Sequence, residues 1–246
     1  MPHPLLASFT SNTPAFGAWL TNGSGGFFHA RAMAQGSPDL AFIVIDCEHG
    51  LVNLNPGVAE LVAAIHGVDG CRAGSGGAGS GAREENDKTS KAPSAIVRVA
   101  ATGWTGGVNW QIKYALDAGA RGVLVPMVST PTQAKSIVSD ARYPPLGRRG
   151  FGGAYTQGNY WGKDMGKDKY IEHANDNILV LIQIETVEGL KNVKEIAEVE
   201  GIDGLFVGPS DLSIALGYPP TDPPQSEVQK AIQEILDAAH GAGKKW

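Results

Sequence analysis

Cysteine is scarce in this chain. Only Cys47 and Cys71 occur among 246 residues, at a spacing that fits no zinc or thiol-redox motif. A disulfide between them and a reduced pair are both compatible with that count. The reduced, intracellular reading is the simpler, and it points to a cytoplasmic protein. Long apolar runs are also missing. None reaches the ~18 residues of a membrane span, and no basic segment followed by an apolar one marks a secretory leader at the start. Basic excess is absent too. Lys and Arg number 20 against 25 Asp and Glu, a net charge of −5, which disfavours a nucleic-acid partner. No Gly-Lys-Ser/Thr follows the glycine-rich stretch Gly74–Gly81, so a phosphate cradle is not indicated there.

The chain does contain apolar residues, at 42% of the total with a mean hydropathy of −0.11, enough for a full core. Short apolar runs near Phe16–Leu20, Leu40–Ile45, Ala95–Val99, Gly122–Val128, Ile178–Ile184 and Gly204–Val207 read as strands. They are continuously apolar rather than alternating, as suits parallel strands covered on both faces. Helical spacing falls between them. Asn55 is expected to cap a helix with Pro56 at its first position and Gly67 at its end. Thr130-Pro131 repeats that start signal. Stripes at Val108–Leu116 (closed by Gly119), Leu190–Ala197 and Val228–Ala239 make further helices. Repeated βα units imply a right-handed parallel α/β fold. Six strands are two short of a closed (β/α)8 barrel. A seventh would begin at Gly243-Lys244-Lys245-Trp246. The fold is therefore an open six-stranded sheet or a TIM-type barrel lacking its last two βα units.

One domain is expected over 1–246, with a glycine-rich, then charged, surface insertion at about 70–92. A second interruption, Tyr143–Asn177, is rich in Gly, Arg and aromatics, and a long ordered loop of this kind is often functional.

Two acids stand just beyond consecutive apolar runs: Glu185 after Ile178–Ile184, and Asp211 after Gly204–Val207. Strand, carboxylate, helix, strand, carboxylate places two hard oxygen ligands at one rim, where magnesium or manganese fits. Gln183 shares a strand face with Glu185. The alternatives are a solvated strand-end acid for Glu185 and a turn cap for Asp211. Strand two ends in Ile45-Asp46-Cys47-Glu48-His49-Gly50. His49 is the natural acid–base group, because histidine ordinarily titrates near neutrality. A hydrogen-bonded structural histidine is the competing reading. Cys47 reads as a small buried residue rather than a nucleophile, and Glu48 as a loop acid. Arg98 sits inside an apolar strand, where a charge must be paired or meet an anion. It is a candidate for holding a carboxylate or an enolate oxygen. Asp117, at a helix C-terminus, opposes the helix dipole. It therefore faces solvent or has a specific partner, with His49 one option. Arg148 and Arg149 read as a solvated turn.

The strings Ile45–Gly50, Leu116–Ala120, Val125–Val128, Arg142–Gly147, Gln183–Thr186 and Val207–Ser213 occur together, in this order, in the 4-hydroxy-2-oxoheptanedioate aldolase family, which includes 2-keto-3-deoxy sugar-acid aldolases and macrophomate synthase. The chain resembles that family over nearly its whole length outside the insertion. The resemblance implies a (β/α)8 barrel and a class II aldolase, a carbon–carbon lyase that makes pyruvate and an aldehyde from 4-hydroxy-2-oxo acids. The implied cofactor is divalent magnesium, manganese or cobalt. By the same resemblance Glu185 and Asp211 match metal ligands, Arg98 an enolate-stabilising arginine, and His49 and Asp117 an acid–base dyad assembled across a subunit boundary. Gln183, Gly208, Pro209, Ser210 and Asp46 match residues around the bound 2-oxo acid. A homo-oligomer, a hexamer or trimer of dimers, is implied as well. Oxaloacetate decarboxylation of the macrophomate-synthase kind and an inactive truncated homologue are the alternatives.

Overall fold

The computed structural model describes residues 3–21, 26–67, 92–100, 107, 109–152 and 166–246. The glycine-rich part of the expected insertion, Cys71 and Val108 lie outside the described residues, as do most of the segment 100–109 and the middle of 143–177.

Six strands form one sheet: β1 (Phe16–Leu20), β2 (Leu40–Asp46), β3 (Ser94–Arg98), β4 (Gly122–Val125), β5 (Leu179–Ile184) and β6 (Gly204–Val207). Every neighbouring pair is parallel, and spatial order equals sequence order. A sheet wound one way, with no reversal of strand order, is barrel-like rather than doubly wound. Among the described residues β1 and β6 do not pair with each other, so this is a half-barrel with a gap between its edges. Lys245 makes a single parallel bridge to Gly204, with its carbonyl accepting from the Leu205 amide at 2.8 Å. That is the place where the sequence puts the start of a seventh strand.

The pleat sorts the side chains. Ile43, Ile45, Val97, Val123, Val125, Val180 and Ile182 face the outer helices in the larger core cluster. Val44, Ile96, Leu124 and Leu179 face inward in a second cluster, joined by Leu181 and Phe206. Following the same alternation upward, Asp46, Arg98, Gln183 and Glu185 all belong to the inner face at the carboxyl ends of their strands. Below them lies an apolar cavity of about 730 Å³, reaching to the gap and bordered by Phe9, Phe42, Leu124, Leu181, Phe206 and Trp246.

Several helices had no clear sequence signal. Helix α1 (Pro4–Ser11) closes the lower end of the sheet. Its Leu5 enters the inner cluster, and His3 binds the Arg121 carbonyl and the Ser94 hydroxyl at 3.1 and 2.9 Å. Helix α2 (Gly26–Gly36) buries only Ala30 and Ala34, too small a stripe to stand out as apolar.

The expected Asn55 cap is not formed. Helix α3 (Gly57–His66) starts one residue later, with Pro56 at its N-cap and no side-chain cap bond. Helix α4 (Asn109–Asp117) leads into Gly119, whose φ of 96° suits only glycine. Strand β4 stops at Val125, before Pro126. Helix α5 (Pro131–Ala141) has the expected start: Thr130 and Gln133 form a capping box. The interruption after Tyr143 contains helix α6 (Lys167–Asn177). The stripe after β5 is split into α7 (Val187–Lys191) and α8 (Val193–Ala197) at Asn192, whose side-chain amide donates to the Ser129 carbonyl at 2.8 Å. Helices α9 (Pro209–Ala215) and α10 (Ser226–Gly241) follow β6.

Thr130→Ala removes one half of the capping box and should lower stability by about 1 kcal/mol in urea unfolding, with Thr130→Ser close to the parent.

Candidate active site at the carboxyl rim of the sheet

Asp46 and Arg98 are Cα partners in the β2–β3 register, so their inward side chains meet. Arg98 Nε and Nη2 donate to the two Asp46 oxygens at 2.9 and 2.7 Å. This bidentate pair uses one edge of the guanidinium and leaves Nη1 without a hydrogen bond among the described residues. The Trp19 ring of β1 lies against the guanidinium, 4.5 Å from Cζ to centroid, and meets Phe206 of β6 edge-on at 5.9 Å. Burial pushes the Asp46 carboxyl up, but the bonds and charge of Arg98 outweigh it and hold the group below its ordinary range.

The Asp46 carboxylate also folds the chain beyond it. Its Oδ1 accepts from the Glu48 and His49 amides at 3.1 and 3.3 Å. Gly50 completes the turn, where any Cβ would overlap the Asp46 carbonyl. The turn tucks Glu48 inward. Its side chain is 8% exposed, with Oε2 3.4 Å from Arg98 Nε and 3.7 Å from His49 Nε2, while the His49 side chain is 62% exposed. Burial raises the Glu48 carboxyl above its ordinary value, against the opposing charge of Arg98. Cys47 is a free thiol, pushed up to about 12 by burial and the Asp46 charge, which disqualifies it as a nucleophile near neutrality.

Across the sheet, Glu185 is 2% exposed. Its Oε1 accepts from the Met127 amide at 2.8 Å, and its Oε2 accepts from the Gln183 side-chain amide. Met127 reaches this position with a φ of 59°, uncommon for a residue with a side chain. Burial raises the Glu185 carboxyl, and the charge of Asp211 adds to the rise against the donors and Arg98. Gly208, at the N-cap of α9, lies so close that a Cβ there would overlap Glu185 Oε2 and crowd the Gln183 amide. Pro209, Ser210 and Asp211 form the exposed first turn of α9 beside it.

Among the described residues no group of three or more His, Cys, Asp or Glu side chains gathers as a ready metal cage. The residues nonetheless fit a hard divalent cation at an open site. Glu185 is a buried carboxylate under the repulsion of a second one, and Gln183 Oε1 is buried with no hydrogen-bond partner among the described residues. A cation with its own water would relieve both.

Asp117 is not brought to His49. It ends α4, near the lower end of the sheet, and binds Lys113 Nζ at 2.6 Å and Arg149 Nη2 at 2.9 Å. Those partners answer the unfavourable helix end. Arg149 is not the solvated turn residue expected: its side chain is fully covered and lies 4.5 Å from the Tyr143 ring centroid. Arg148 does stay largely exposed, paired with Asp140. Glu48, Trp19 and Met127 are site residues that sequence reasoning missed. For Trp19 the alternation of strand β1 was a usable signal; for Met127 there was none.

Residues 84–245 match the model of the HpcH/HpaI aldolase/citrate lyase family. The chain belongs to this family. Similar curated relatives include 2-keto-3-deoxy-L-rhamnonate aldolases of Klebsiella pneumoniae, 46% identical, and Salmonella typhi, 45% identical, each over 133 residues that make up 54% of this chain and 48% of the relative. The chain thus spans about half the length of the curated relatives it matches. Among solved structures, a family member from Burkholderia cenocepacia superposes with a TM-score of 0.77 at 28% identity, covering 99% of this chain and 82% of that one. Macrophomate synthase superposes with a TM-score of 0.74 at 25% identity, over 98% and 73%.

Gly208→Ala should weaken Mn²⁺ binding, measured by calorimetry, at least tenfold while far-UV circular dichroism stays unchanged. Asp46 is held low in the folded state, so its contribution to stability is complete above the ordinary Asp range of about pH 4 and is lost as pH falls through its folded value. In Asp46→Asn that acid-dependent part of the unfolding free energy should disappear.

Proposed function

We propose that this chain is a divalent-metal-dependent carbon–carbon lyase that cleaves or forms 4-hydroxy-2-oxo acids, with pyruvate as the shared product. The observation that carries the proposal is the placement of Arg98 and Glu185. One is a buried guanidinium whose Nη1 no described residue binds and the other a buried carboxylate, both on the inner face at one rim. The family and its 2-keto-3-deoxy-L-rhamnonate aldolase members support the same chemistry. A 2-keto-3-deoxy sugar acid is the substrate class they suggest.

Glu185 and Asp211 would hold the cation: magnesium, manganese or cobalt. When bound it supplies positive charge that draws electrons from the 2-oxo group of the substrate. The chain's own residues do the rest. Arg98 Nη1 donates to the oxygen on which negative charge grows, and Asp46 and Trp19 hold the guanidinium in place so that no reorganisation is needed. Gln183 and Gly208 shape the wall beside the 2-oxo acid, with Pro209 and Ser210 at its carboxylate end. His49 removes the C4 hydroxyl proton as the C3–C4 bond breaks. Asp117 can assist His49 only from another copy of the chain, because in its own chain it ends α4 near the lower end of the sheet while His49 stands at the carboxyl rim. That requirement supports a homo-oligomer, a hexamer or trimer of dimers.

The chain is taken as one barrel-type domain, with the places of a seventh and eighth strand, between Lys245 and β1, filled by no described residue. No helix among the described residues is long and apolar enough to cross a membrane. A cytoplasmic location is part of the proposal. The macrophomate synthase likeness favours a second reading, oxaloacetate decarboxylation, because loss of carbon dioxide leaves the same enolate.

With added Mg²⁺, Mn²⁺ or Co²⁺ the chain should release pyruvate from 4-hydroxy-2-oxo acids and carbon dioxide from oxaloacetate. Absence of both reactions with all three metals would sink the reading in favour of an inactive homologue. Glu185→Ala should abolish metal binding and both reactions. His49→Ala should reduce aldol cleavage by about 10²-fold or more and decarboxylation far less, since only cleavage needs the hydroxyl proton removed; equal losses would take His49 out of that role.

A further inference from the structure

We propose that His3 is a proton-sensitive latch that docks helix α1 against the lower end of the sheet, so that acid releases the helix and opens the apolar cavity from below. The local geometry fixes one form of the ring. Its Nε2 lies 3.1 Å from the Arg121 carbonyl, which can only accept, so Nε2 carries the hydrogen and donates. Nδ1 is then the acceptor. It takes the Leu6 amide at 3.2 Å, which makes His3 the N-cap of α1, and the Ser94 hydroxyl at 2.9 Å. Ser94 Oγ in turn accepts from the Leu5 amide at 3.3 Å. One neutral imidazole therefore ties the first turn of α1 to β3 and to the residue before β4. A proton on Nδ1 would point at an amide hydrogen that cannot turn away, and the cap bond would be lost.

The surroundings also resist a charge on the ring. His3 is buried, and Arg121 and His173 both act against its protonation. His66, the last residue of α3, stands in the same basic cluster. Its Nε2 accepts from the Ala95 amide at 3.3 Å, and Arg121 and His3 act against its protonation as well. The amino terminus and Arg121 act on His173 in the same sense, with Asp176 opposing them. Burial first, then the charge of Arg121, lowers His3 to about 4, against the backbone of Arg121 and Asn177. Released from the sheet, the imidazole returns to its ordinary value of about 6.5. The docked form thus binds the proton less well than the released one. Docking is complete above about pH 6.5 and weakens as pH falls toward 4. Beyond His3, the ties of α1 are modest among the described residues. Leu5 is its buried side chain, Leu6 and Phe9 are partly buried against the inner cluster, and Asn12 accepts from Lys245 Nζ at 2.7 Å. Leu5 and Phe9 border the apolar cavity, so undocking α1 uncovers Val44, Ile96 and Leu124.

The test uses the full chain and follows amide hydrogen exchange, corrected for its intrinsic pH dependence, between about pH 7 and 4.5, above the range in which Asp46 titrates. Protection of the Leu6, Ala7 and Ser8 amides should fall about 50-fold. Protection in β2 to β5 should hold, and an apolar dye should gain fluorescence over the same interval. His3→Asn keeps a side-chain acceptor for the Leu6 amide but has nothing to titrate. Its α1 protection should stay flat with pH. In the parent, the His3 ring protons followed by NMR should titrate clearly below the ordinary histidine value; should His3→Asn not fold, this measurement decides. Unchanged α1 protection in the parent, an equal fall in His3→Asn, or a His3 that titrates at its ordinary value would each overturn the proposal. So would a joint loss of protection in α1 and in β2 to β5, which is acid unfolding of the whole sheet and not release of one helix.

Discussion

The bidentate pair of Asp46 and Arg98 is the contact on which the rest of the site depends. Two charges inside a half-barrel are costly to desolvate, and losing either partner leaves the other buried alone, a penalty of about 3–5 kcal/mol. The pair is possible because the β2–β3 register sets the two residues side by side on the inner face. It then organises its surroundings. The same Asp46 oxygen that accepts from Arg98 accepts two backbone amides beyond β2, and so decides where Glu48 and His49 stand. Trp19 packs on the guanidinium that Asp46 holds.

The rim is unbalanced in charge. The charges of Glu185 and Asp46 raise the Glu48 carboxyl and that of Asp211 raises Glu185, while Arg98 lowers both. Net negative potential in a partly buried, concave place draws cations. The two halves of the rim solve their burial differently. The Asp46 half is neutralised internally by Arg98, whereas the Glu185 half is held by neutral amide donors from Met127 and Gln183, which orient the carboxylate without cancelling its charge. The Gly208 backbone can approach that carboxylate because it carries no side chain.

Much of this was legible in the sequence because it depends on local periodicity. The six apolar runs became six strands within one or two residues, except that Pro126 ended β4 early. A lone arginine in a buried run announced a partner, and Arg98 has one. Acids at strand ends followed the pleat, so Glu185 and Gln183 emerged on one face. What the sequence hid depends on tertiary placement. Glu48 reads as a turn acid until Asp46 bends its turn inward. Helix α2 buries alanines, which give no apolar stripe. Asn55 has the residue type of a cap, but the helix starts one residue later, with Pro56 in the cap position. Arg149 looked solvated because nothing local shows that Tyr143 and Asp117 enclose it.

The edge-on meeting of Trp19 and Phe206 joins the two margins of an otherwise unclosed sheet. It also touches the guanidinium on its other side. The rings therefore form one packed row, from Phe206 of β6 through Trp19 to Arg98. Whatever stiffens or loosens that free margin retunes the aim of the positive group in the pocket, although no atom of the margin itself contacts the reacting carbons.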